Sequence, residues 1–147
     1  MLTITGHALV LWVHVLSACV WIGGQVTVLA VLPVVRATPG LPAAVGRQFQ
    51  RVAWPAFALL VVTGLLNVWY LRIGWTDPWT TPAGRTLAVK LGLVAASGIA
   101  TAAHVLHQRS RRLAGIAPSG KAPAVLGTIG LLSALGAALY GVVLHGG

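Results

Sequence analysis

From Met1 to Val35 the chain carries no Asp, Glu, Lys or Arg. This uncharged run constrains the fold more than anything else in the sequence. About 20 consecutive apolar residues already span the hydrocarbon core of a bilayer. Three further apolar runs follow, Val52 to Leu71, Thr86 to Leu106 and Ala122 to Leu144. The first run reads as a helix over about residues 3–35, and the others as helices over 52–71, 86–106 and 122–144. It is too long for a signal-peptide core and lacks a basic start, so it reads as a retained helix. Turn residues punctuate the runs: Arg36-Ala-Thr-Pro-Gly-Leu-Pro42 stops the first, Gly74 to Gly84 links the second and third, and Gly115 to Gly120 precedes the fourth. Pro55 is expected in the first turn of the second helix, where a proline is tolerated. The expected fold is all-α, a single domain over residues 1–147 forming a four-helix transmembrane bundle.

Composition agrees, with 57% of residues hydrophobic and 7% charged. The lipid bilayer is therefore the first partner. A formal net charge of +9 invites a nucleic-acid reading. That reading is rejected, because the basic residues cluster between the apolar runs, where membrane topology puts them. Arg36, Arg47 and Arg51 follow the first run, and Arg109, Arg111, Arg112 and Lys121 follow the third. Only Arg72 and Arg85 flank the second connection, which also holds Asp77. The positive-inside rule then places both termini outside (N-out and C-out) in a bacterial-type inner membrane, as a multi-pass protein. Trp75 and Trp79 suit the outer interface.

The first run nevertheless contains a polar stripe. His7, His14, Ser17, Trp21 and Gln25 recur at helical spacing on one face. Lys90, Ser97, Thr101, His104 and Gln108 repeat the pattern in the third run. Polar groups inside a membrane are costly unless they face other helices, a cofactor or water. Lys90 either snorkels to the interface or partners an anion. Thr63 and Asn67 in the second run, and Ser133 and Tyr140 in the fourth, read as interhelical hydrogen-bond formers. Small residues crowd the third and fourth runs, from Gly92 to Ala103 and from Gly127 to Gly141. They either pack the helices closely or leave room for a flat cofactor.

At about 1.5 Å per residue, His7, His14, Lys90 and His145 gather towards the outer side, and His104 and His107 lie near the cytoplasmic end. The two groups are on the order of 25 Å apart along the membrane normal, too far to share a metal. His104 and His107 are spaced to chelate one ion from adjacent turns. Imidazole suits haem iron, copper and zinc alike. The only methionine is Met1 and the only cysteine Cys19, which argues against a sulfur-lined Cu(I) path and excludes an internal disulfide. Asp77 is the only acid, so hydrolytic carboxylate chemistry within the bilayer has no residues to work with.

Three segments resemble the copper-resistance protein D (CopD) domain. They are Trp21-Ile-Gly-Gly with Leu32-Pro33-Val-Val-Arg36, Phe49 to Asn67, and Gly84-Arg-Thr-Leu-Ala-Val-Lys90-Leu. That family is associated with copper uptake or resistance, and its members often form part of larger chains. His14 followed by Trp21-Ile-Gly-Gly, with Lys90 in the third helix, is also similar to the HemJ-type four-helix haem-binding proteins. That resemblance implies His14 as a haem ligand and Lys90 as a functional cation. Leu11 stands where those proteins carry a second lysine, and their Leu-Pro-Arg segment after the tryptophan is missing.

The first expectation is thus a b-type haem protein for electron transfer or quinone-linked redox chemistry. His14 is its axial ligand, His145 or His7 the second, Lys90 the charge partner and Trp21 a cofactor neighbour. It acts alone or with other membrane subunits. The second is a copper transporter of the copper-resistance type, in which the His7, His14 and His104 stripes pass copper between leaflets. The third is a structural small subunit.

Overall fold

The computed structural model is all-helical and describes residues 5–70, 80–116 and 121–146, the side chains of 121–122 and 143–146 excepted. Its long helices are α1 (Gly6–Val35), α2 (Leu41–Tyr70), α3 (Pro82–Leu113) and α4 (Lys121–Gly146). Each contains a stretch long and apolar enough to cross a membrane. The chain divides into two compact units, Met1–Ile73 and Gly74–Gly147. In the first, α1 packs on α2; in the second, α3 packs on α4. Each unit is therefore a helical hairpin.

Local signals set the helix ends. Thr5, in extended conformation, caps α1 by accepting from the Ala8 N–H at 3.2 Å. Gly40 takes the left-handed conformation, φ 81°, in the short turn before α2. Thr81 caps α3 by accepting from the Gly84 N–H at 3.0 Å, with Pro82 at the helix start. At the other end of α3, Gly115 has φ 68°, and the Gly115 and Ile116 N–H groups donate to Arg112 and Arg111 carbonyls. That is a Schellman closure, which satisfies carbonyls the helix would otherwise leave open.

Two boundaries differ from the hydropathy reading. Helix α2 starts at Leu41 rather than near 52, and α3 runs on to Leu113 rather than stopping near 106. Hydropathy marks only what lies in hydrocarbon. Ala43, Ala44, Arg47, Gln48 and Arg51 are good helix formers, so the helix continues past the apolar part. Arg47, Arg51, Arg109, Arg111 and Arg112 accordingly stand on helices, not in loops. Pro55 lies inside α2 rather than in its first turn. A membrane helix tolerates this when neighbours re-satisfy the freed backbone groups.

The inward residues follow a heptad seam. On α2 they are Ala53, Ala56, Leu60, Thr63 and Asn67, spaced alternately three and four apart. On α1 they are Ser17 and Trp21. Leu9, Trp12, Val15, Leu16 and Val20 are exposed on the opposite side of α1, as a lipid-facing surface requires.

Candidate functional site

In the first hairpin the polar stripe of α1 meets the seam of α2, rung by rung. The His7 ring stacks on Tyr70, with centroids 4.8 Å apart and planes 25° from parallel. His14 Nδ1 lies 3.0 Å from Thr63 Oγ1. Trp21 is 1% exposed and packs on Phe57 and Trp54, at centroid distances of 4.5 and 5.9 Å. Rising numbers on α1 meet falling numbers on α2, the register of an antiparallel pair.

The His14 contact fixes a tautomer. Thr63 has a single hydroxyl hydrogen, and Oγ1 donates it to the Leu59 carbonyl at 2.6 Å. The Thr63 oxygen therefore accepts from His14, so Nδ1 carries a ring hydrogen, and in the neutral ring Nε2 holds the lone pair. Gly64 makes this approach possible, since a Cβ there would stand 3.3 Å from His14 Cε1.

The second hairpin does the same with different atoms. The Ser97 hydroxyl, buried to 1% exposure, donates to the Gly130 carbonyl at 2.8 Å. His104 Nδ1 lies 2.9 Å from the Pro123 carbonyl, which can only accept. His104 thus also carries a hydrogen on Nδ1, which in the neutral ring leaves the lone pair on Nε2. Lys90 lays its ammonium over Gly141, where a Cβ would come within 3.0 Å of Nζ. Leu93 fills the space beside Gly136 in the same way, 3.2 Å from a Cβ built there. The glycines at 64, 136 and 141 therefore receive side chains of the paired helix.

The site residues read from the sequence distribute as follows. His7, His14 and Trp21 share the α1–α2 seam. His104 and His107 lie on adjacent turns of α3, and His107 buries Nε2 without a hydrogen-bond partner. His145 stands in the last turn of α4, and its side chain lies outside the described residues, as do Arg72, Trp75, Asp77 and Trp79 of the connection before α3. Among the described residues, no three His, Cys, Asp or Glu side chains converge as a metal cage. Cys19 is exposed on the outward side of α1.

Thr63 is the interhelical partner that its polarity suggested. Asn67, read the same way, is not satisfied: it is 6% exposed, and its Oδ1 has no hydrogen-bond partner. The only sequence signal for this was its heptad spacing from Thr63 in an uncharged run. Tyr140, by contrast, is 37% exposed.

A family model described as Copper resistance protein D matches residues 43–145. The Copper transport protein CutJ of Bacillus subtilis (strain 168) is 29% identical over 142 residues, covering 88% of this chain and 26% of its own. The chain thus spans about a quarter of that relative's length. No solved structure matches.

Proposed function

The chain belongs to the copper resistance protein D family, and from that premise we propose that this multi-pass membrane protein carries copper into or across a bacterial-type inner membrane. One structural observation supports the reading most directly. In each hairpin an imidazole from the first helix donates Nδ1–H to an oxygen of the second, His14 to Thr63 and His104 to Pro123. A metal-ligating histidine characteristically has its other ring nitrogen tied down in this way, which fixes the ring and raises its basicity. With one methionine and one exposed cysteine, the chain would hold its cargo through imidazole rather than sulfur. His104 and His107, on adjacent turns of α3, offer a further pair of imidazoles in the second hairpin.

The basic turn of each hairpin faces the cytoplasm, which gives an N-out and C-out arrangement. The donor and acceptor of the copper are further domains or membrane subunits. The haem reading rests on the resemblance at His14, Trp21 and Lys90, and it gains no support from the family match.

The test is copper content of cells producing the chain, measured by elemental analysis against cells with an empty vector. Producing cells should differ from control several-fold, and His14→Ala with His104→Ala should abolish the difference. Equal copper in cells whose membranes hold normal amounts of the chain overturns the proposal. A Soret band in the purified protein that disappears in His14→Ala would replace it with the haem reading.

A further inference from the structure

Three buried polar atoms of the first hairpin have no hydrogen-bond partner: Asn67 Oδ1, His7 Nε2 and Gln25 Nε2. Asn67, 6% exposed, buries Oδ1 without a partner. His7 buries Nε2 without a partner. An amide oxygen buried in an apolar setting without a partner is costly, and hydrocarbon offers it no hydrogen-bond donor. His7 and Asn67 stand towards the same end of the helix pair, and Gln25 towards the other.

The placement of His7 and Asn67 is fixed from both sides. His7 is level with Tyr70, on which it stacks at 4.8 Å, and His14 is level with Thr63. Asn67 lies between Thr63 and Tyr70 on the inward side of α2. Its oxygen therefore sits between the levels of the two histidines. His7 is in the first turn of α1, at the water-facing end, and His14 is two turns deeper, about 10 Å.

We infer that Asn67 Oδ1 and His7 Nε2 form an entry station for a divalent d-block cation, copper in this setting, in the α1–α2 hairpin ahead of His14. The inference rests on the copper reading above. As the Nδ1–H tautomer, His7 offers a lone pair, and an amide oxygen can only donate one. Such a nitrogen and oxygen pair suits Cu(II), whereas Cu(I) favours sulfur. A water molecule donating to both atoms is the competing occupant.

The experiment uses the purified full chain in detergent micelles with Cu(II) sulfate as the probe. Electron paramagnetic resonance should show nitrogen coupling to the copper. His7→Ala and Asn67→Leu should each weaken binding by at least about tenfold, the loss that even outer-shell partners produce. Asn67→Asp should tighten it, because a carboxylate adds charge at the same position. Circular dichroism checks that helicity is kept. If Asn67→Leu fails to fold, Asn67→Asp decides: tighter binding supports the station, and unchanged binding overturns it. Wild-type affinity in His7→Ala and Asn67→Asp means the copper binds elsewhere. A wild-type chain that binds no Cu(II) but still alters cellular copper leaves water in the seam. Either result removes this station while leaving the transport reading intact.

Discussion

At the scale of single residues, the molecule turns on where each hydroxyl hydrogen goes. Thr63 donates to its own helix at Leu59, so its oxygen can accept from His14 and orient that ring. Thr63→Val keeps the shape and removes the acceptor. It should cost the α1–α2 pairing about 1 kcal/mol, the usual size of an interhelical hydrogen bond in a bilayer. A double-mutant cycle with His14→Ala, followed by detergent unfolding, should return a coupling energy of similar size. Coupling near zero would mean the contact does not orient the imidazole. Polarity alone revealed that Thr63 and Asn67 were unusual in an apolar run. It did not reveal that one is satisfied and the other is left with an unpartnered oxygen, because both look alike until the facing helix is in place.

At the scale of helices, the first hairpin is built on a heptad seam, and in both hairpins glycines stand where the partner's side chains press closest. The neighbours Gly23 and Gly24 make the clearest comparison. A Cβ at Gly24 would lie 2.5 Å from Phe49 Cε2, whereas one at Gly23 meets nothing within 4 Å. Gly24→Ala should therefore destabilise the first hairpin by about 1–3 kcal/mol through overpacking. Gly23→Ala should be neutral or stabilising by up to about 1 kcal/mol, since alanine is the better helix former. Unfolding midpoints of the two variants in detergent would check this, and equal midpoints would contradict the register. Helix ends were the least legible part of the sequence. Hydropathy located the apolar segments, but α2 and α3 continue into basic segments whose propensity, not polarity, keeps them helical.

For the whole molecule, the arginines give a directional prediction. Arg36, Arg47 and Arg51 cluster at the turn end of the first hairpin, and Arg109, Arg111 and Arg112 at that of the second. The positive-inside rule assigns both ends to the cytoplasm. In a Cys19→Ala background, Ser110→Cys should resist membrane-impermeant thiol reagents added to intact spheroplasts and react once the membrane is opened. Ser110 is exposed, so the thiol would be reachable from its own side. Ready labelling of intact spheroplasts would invert the orientation.

The sequence by itself determined the class of the protein and the number of its apolar spans, because the cost of placing charge in hydrocarbon is read from composition and run length alone. Helical spacing also showed that His7, His14 and Trp21 share one side of a helix, and that Lys90, Ser97 and His104 share one side of another. Tertiary structure decided what those stripes face. Their partners, Tyr70, Thr63, Phe57, Gly141, Gly130 and Pro123, lie 19 or more residues away on the paired helix, and no local pattern encodes a contact between such segments. It likewise decided which ring nitrogen of His14 and His104 holds the hydrogen, since that depends on an acceptor supplied only by the packed helix opposite.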